Sequence, residues 1–172
     1  DMSVQRLTLA ALLIAIGTLS AHIFYIPAGV SKCFPVQHAI NVLAAVVLGP
    51  SYGVTIAFVI SLLRNLLGFG SLLAFPGSMI GAFLAGVMYA RFGNLKAAMF
   101  GEIVGTGLIG GLVSFPIAYY IMGKATVAWF FIPPFLVSTI GGSIIAGLLI
   151  RSGVLSGISS TLLPLNKHKN NM

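Results

Sequence analysis

Charge is what this sequence has least of. Only 6% of its 172 residues are Asp, Glu, Lys or Arg, against roughly 25% in soluble domains. The two acids are Asp1 and Glu102. So few charges cannot cover a water-facing surface. With 58% hydrophobic residues and a mean hydropathy of +1.08, the chain reads as an integral membrane protein with no room for a soluble domain. Cysteine is nearly absent too: Cys33 alone excludes an internal disulfide and a cysteine-rich metal site. There is no acid pair, no HExxH and no GxSxG, so an intramembrane enzyme lacks its usual machinery. There is also no Walker-type glycine loop, so nothing here hydrolyses ATP. No catalytic residue, metal site or cofactor is expected. The net charge of +7 would suggest nucleic acid on a soluble chain. Here it reads as membrane-flanking charge, with the lipid bilayer and not nucleic acid as partner.

What is present is a series of apolar runs. The expected fold is all-α: a single transmembrane domain over residues 1–172, with about six helices. The runs are Val4 to Ile26, Val36 to Leu48, Val54 to Leu67, Ser78 to Phe92, Ala97 to Met122 and Pro134 to Arg151. A basic tail, Ser152 to Met172, follows. The first run is too long for a signal h-region and has no clear cleavage motif, so it reads as a retained helix. The second to fourth runs are short. Val36 to Leu48 reaches about 20 Å as a helix, against a hydrocarbon core of about 30 Å. The tight turn Gly49-Pro50-Ser51 leaves the deficit on the opposite side. The connections there, Ala28–Pro35 and Gly68–Gly77, must then dip below the headgroups. Irregular backbone at that depth is tolerated where it is buried in protein or lines a cavity. A pocket in one leaflet, roofed by those two connections, is therefore expected. Pro116 is expected to kink the fifth helix by removing the bond to the Leu112 carbonyl.

Polar side chains concentrate in one stretch, Lys32 to Asn41. Gln37 and Asn41 are four apart and share a helix face, with His38 beside it. Unpaired polar groups in an apolar medium cost several kcal/mol. Two uses fit: gluing neighbouring helices together, or lining a pocket for a small ligand, which the clustering favours. Phe34, Gln37, His38, Asn41, Asn65, Phe75, Ser78, Met79, Tyr119, Trp129 and Ser138 form the candidate ligand-binding set. Asn65 and Ser78 serve equally well as helix glue, and Trp129 equally well as part of an interfacial aromatic belt. Glu102, soon after Lys96, suits either snorkelling toward a cytoplasmic base or a ligand role. Ala11 and Ala15 form a close-approach strip that suits either internal packing or docking of a partner.

Orientation follows from the basic residues. With both termini cytoplasmic, Arg6, Arg91, Lys96, Arg151, Lys167 and Lys169 lie inside, and Lys32, Arg64 and Lys124 fall on the outer half. That places a multi-pass protein in the cell membrane with its pocket outward. Lys32 and Arg64 suit either interfacial anchoring or a phosphorylated ligand.

The runs Phe34-Pro35-Val36-Gln37-His38-Ala39-Ile40-Asn41, Leu48-Gly49-Pro50, Leu63-Arg64-Asn65 and Phe75-Pro76-Gly77-Ser78-Met79-Ile80-Gly81-Ala82 resemble the ThiW-type family over most of residues 4–151. Those proteins are S-components of energy-coupling-factor vitamin transporters. The resemblance implies capture of the thiamine precursor hydroxyethylthiazole and ATP-driven uptake. The implied partners are a transmembrane coupling subunit and two ATPase subunits. Ala11 and Ala15 are similar to the small-residue motif by which S-components dock on that coupling subunit. The alternatives are an S-component for another thiamine precursor or vitamin, and a passive membrane channel. Clustering of polar residues in one leaflet speaks against a continuous conducting path.

Overall fold

The computed structural model describes residues 2–28, 31–68, 70–124 and 126–153. Six helices follow one another: α1 (Met2–Ile23), α2 (Pro35–Val47), α3 (Pro50–Leu66), α4 (Ala74–Phe92), α5 (Leu95–Ile121) and α6 (Ile132–Arg151). Most of the expected tail, with Lys167 and Lys169, lies outside the described residues.

The helix ends follow from local chemistry. Pro35 and Pro50 open α2 and α3 at a position whose N–H would be unpaired in any case. Gly49 (φ 92°) separates these two helices. Gly93 ends α4 in the left-handed conformation (φ 69°), and Asn94 caps α5 by accepting from the Ala97 N–H at 2.8 Å.

Two expectations change. The first helix stops at Ile23, and Ile26 belongs to a small antiparallel hairpin, β1 (Ile26–Ala28) with β2 (Ser31–Cys33). Its register pairs Ile26 with Cys33, Pro27 with Lys32 and Ala28 with Ser31. Second, α3 and α4 each begin four residues before the expected starts, Val54 and Ser78. Hydropathy had assigned Pro50 and Pro76 to connections, yet a proline in a first turn breaks no helical bond. At 17 and 19 residues, α3 and α4 reach about 26 and 28 Å. The length deficit is therefore large only in α2, which has 13 residues. α5 runs through Pro116, as the single expected run Ala97 to Met122 requires. Wide π turns at Ile103–Gly110 and Ile117–Ile121 flank the α segment Gly111–Pro116, and the second absorbs the proline's missing bond.

α2 and α4 occupy the middle of the bundle. α2 packs on α6, α4, α3 and α1, and α4 packs on α3, α5 and α2. α1 lies at the edge against α3 and α2, with Leu7, Leu12, Ile16, Leu19 and Ile23 exposed. Val4–Ile23, Leu95–Ile121 and Ile132–Arg151 are each long and apolar enough to cross a membrane. The exposed leucine, isoleucine and phenylalanine side chains around the bundle suit lipid better than water. Two apolar clusters fill the bundle on the side of the Gly49 and Gly93 turns. One joins Ala10, Leu13, Ile40, Ala44, Leu48, Ile56 and Ile60. The other joins Ala39, Val42, Leu43, Ala98 and Ala146.

The expected small-residue spacing on α4 and α5 is used for close approach. A Cβ on Gly105 would lie 2.8 Å from the Gly81 Cα and 2.9 Å from the Ile80 carbonyl. That contact is backbone on backbone and has nothing flexible to yield. Gly105→Ala is expected to lower stability by about 1–3 kcal/mol through overpacking. Gly141→Ala, whose Cβ would meet Pro35 at an ordinary 3.4 Å, is expected to be near neutral. Thermal unfolding of the purified protein in detergent compares the two, and equal melting temperatures would refute the close-approach account.

Candidate ligand-binding site

Five helices bring polar side chains to one buried level. α2 contributes Gln37, His38 and Asn41. α3 contributes Ser61 and Arg64, and α4 contributes Ser78. α5 contributes Glu102 and Thr106, while α6 contributes Ser138 and Thr139. All ten are buried. The first turns of α2 carry three of them because Gln37 and Asn41 stack on one face, as their spacing requires.

Glu102 is fully buried. One carboxylate oxygen accepts from the Thr106 hydroxyl at 2.8 Å, His38 Nδ1 at 2.9 Å, and Asn41 Nδ2 and the Thr139 hydroxyl at 3.3 Å. Its other oxygen lies 3.4 Å from Asn41 Nδ2. Every neighbour can donate, so the carboxylate is the acceptor and Nδ1 carries the hydrogen. In the neutral imidazole, Nε2 is then left as an acceptor. Room for this arrangement comes from Gly81, where a Cβ would collide with the Thr106 hydroxyl and the Glu102 carboxylate. The expectation that Glu102 snorkels toward a cytoplasmic base is replaced by a buried carboxylate hydrogen-bonded to His38.

A second set hangs on Gln37. Its carbonyl accepts from Arg64 Nη1, and its amide nitrogen donates to Ser78 Oγ at 3.0 Å and Ser61 Oγ at 3.3 Å. Asn41 Nδ2 joins the two sets, 3.2 Å from both Ser78 Oγ and the Ser78 carbonyl. The Arg64 guanidinium lies over the Phe34 ring, 4.0 Å from its centroid. Arg64 is only 4% exposed, which rules out an interfacial anchor. The Phe34 N–H donates to Ser138 Oγ at 2.8 Å, tying the start of α2 to α6.

Above this level a cavity of about 770 Å³ opens at the end of the bundle away from the Gly49 and Gly93 turns. That volume lies within the range of small-molecule sites. Of the candidate residues, Phe34, Gln37, His38, Ser78 and Ser138 line it. Asn41 lies behind the wall, holding Ser78 and Glu102. Asn65 is off the wall and donates to the Ser61 and Ser71 carbonyls at 2.8 and 3.0 Å. It thereby ties down Ser71, which does line the cavity. Phe75 packs against Phe58, with ring centroids 5.7 Å apart, and Met79 is off the wall. Tyr119 is half-exposed between Phe115 and Tyr120. Trp129 is 67% exposed and is off the wall. Ala11 and Ala15 are exposed on α1, while Ala10 beside them is buried.

The wall holds further residues beyond the candidate set. Phe130, Phe131 and Phe135 provide the aromatic wall that Trp129 does not. Their rings meet in sequence, at 5.1 Å and 6.1 Å between centroids. Thr106 lines the wall too, and of the two roles expected for Arg64 its place on the wall favours the ligand over the anchor. The available signal was spacing: Thr106 is one turn beyond Glu102, and Arg64 is three residues beyond Ser61.

Removing one partner of a buried pair strands the other. His38→Ala and Glu102→Ala are each expected to cost about 1–3 kcal/mol, the penalty of a buried hydrogen-bond partner left unsatisfied. The double variant is expected to cost clearly less than the sum. Unfolding of the four proteins in a double-mutant cycle checks this, and strict additivity would mean that the pair contributes nothing as a pair.

Residues 7–154 match the family described as thiamine-precursor transporter protein (ThiW). No curated protein and no solved structure matches the chain. The matched segment takes in all six helices but for the first residues of α1, and with them every residue of the cavity wall. The protein therefore belongs to the ThiW family, a family of membrane transporters for thiamine precursors.

Proposed function

We propose that the protein is the substrate-binding S-component of an energy-coupling-factor transporter and that it captures hydroxyethylthiazole at the outer face of the cell membrane. The observation that carries this reading is the form of the cavity. It opens at one end of the bundle and is floored by the hydrogen-bonded level of Gln37, His38, Ser78 and Thr106. Beyond that floor come close-packed apolar clusters. Such a chamber receives a small molecule and holds it, whereas a channel needs a continuous polar path. A flat heterocycle fits the aromatic wall, and the few polar groups fix its orientation. His38 Nε2 offers an acceptor for the hydroxyl.

Arg91, Lys96 and Arg151 gather at the closed end of the bundle. The positive-inside rule then makes that end cytoplasmic, with both termini inside and the cavity outward. Lacking an ATP-binding loop, the chain depends on ATPase subunits reached through a transmembrane coupling subunit. The exposed Ala11 and Ala15 give that subunit a surface on α1.

Three outcomes are expected. Gln37→Ala and His38→Ala should each weaken hydroxyethylthiazole binding by about 1–3 kcal/mol in calorimetric titration of the purified protein. Unchanged affinity in both would take the cluster out of the site. Ala11→Leu and Ala15→Leu should abolish uptake in cells carrying the coupling subunits and leave binding intact. Loss of binding would instead place the strip inside the bundle. A cysteine at Ser71, in a Cys33→Ala background, should lose reactivity to an external thiol reagent when ligand is present. An unchanged labelling rate would remove the 70–74 segment from the roof. Uptake by this chain without coupling subunits would identify a passive channel.

A further inference from the structure

We propose that the substrate carries an oxyanion, a phosphate monoester or a carboxylate on its side arm, and that Arg64 receives it. This rests on the binding role proposed above and replaces the free alcohol of that ligand by an anionic derivative.

Arg64 lines the cavity yet is almost wholly buried. Its Nη1 is used by the neutral carbonyl of Gln37, and one face of the guanidinium is covered by the Phe34 ring. Its Nε–H is buried with no hydrogen-bond partner among the described residues. A buried cation is ordinarily held by an acid, and this chain has almost none to offer. Its acids are Asp1 and Glu102, and Glu102 is occupied by His38, Asn41, Thr106 and Thr139. Among the described residues no Asp or Glu lines the cavity, whereas Lys124 adds a second cation to its wall.

Position 37 sharpens the point. An acid there would close an ion pair with Arg64. The glutamine present orients the guanidinium without neutralising it, because its own amide nitrogen is turned to Ser61 and Ser78. The charge is thus fixed in place and left for a ligand. Guanidinium is also the side chain whose planar fork matches carboxylate and phosphate oxygens. The cavity volume of about 770 Å³ leaves space for a heterocycle bearing such a group.

The test titrates the purified full chain with three ligands: hydroxyethylthiazole, its phosphate monoester, and the thiazole in which the alcohol is replaced by the carboxylic acid. Calorimetry is expected to show one of the anions binding about tenfold or more tighter than the alcohol, and the better anion identifies the oxyanion. Arg64→Gln is expected to erase that preference, and Arg64→Lys to keep part of it. Should Arg64→Gln fail to fold, the unmodified chain and Arg64→Lys still decide. An alcohol that binds as tightly as both anions overturns the inference and leaves the transporter reading standing. Binding of none of the three overturns both.

Discussion

A single carboxylate, buried in an apolar bundle, sets the terms for the rest of this structure. Glu102 is satisfied by donors from three helices at once: His38 and Asn41 of α2, Thr106 of its own helix and Thr139 of α6. Water cannot replace a missing donor at this depth. The helices must therefore meet in the one rotation and register that brings all four donors to the same oxygens. Through Asn41 the requirement passes to Ser78 of α4, and through Gln37 to Ser61 and Arg64 of α3. Apolar packing between lipid-facing helices is weakly directional, because lipid tails are as apolar as leucine. The polar level supplies the direction that packing lacks.

The same level explains why the chamber sits where it does. α2, with 13 residues, is too short to cross the bilayer alone, and its first residues lie at the cavity instead of among headgroups. Side chains in its first turns are thus partly roofed from solvent and partly open to a space. Below them, Gly81 and Gly105 let α4 and α5 touch through backbone, which seals the floor. The π turn at Ile103–Gly110 begins immediately after Glu102 and carries Thr106 into the same cluster. Irregular turns of this kind inside a helix commonly mark functional positions.

The helical architecture was legible in the sequence because hydropathy and glycine or proline punctuation act locally. The polar stretch on α2 was legible for the same reason: Gln37, His38 and Asn41 are adjacent in sequence and in space. What escaped was set by distance along the chain. Glu102 is 64 residues from His38, and nothing near either position announces the pair. Proximity to Lys96 pointed Glu102 toward the surface instead. Trp129 and Tyr119 attracted notice as large aromatics, yet their exposure shows that aromatic content alone does not say which way a ring faces. Phe131 and Phe135, four residues apart on and beside the first turn of α6, carry the inward face. The early starts of α3 and α4 escaped because proline ends one pattern and begins another with the same residue.

The two buried charges are kept apart, and that separation is the feature most costly to stability. Glu102 has a partner in His38, whereas Arg64 has only an amide carbonyl and a ring face. A bundle optimised for stability alone would pair the cation with an acid or replace it by an apolar side chain of similar volume, which is often neutral or stabilising. Instead Asn41, Ser78 and Gln37 form a neutral bridge between the two charged groups. Each amide in that bridge is held with its nitrogen toward an acceptor, and Gln37 turns its oxygen toward the guanidinium. Such a bridge transmits orientation without cancelling charge. Stress of this kind inside an otherwise consistent fold is expected where function, not packing, dictates the residue. It lies on the wall of the chamber.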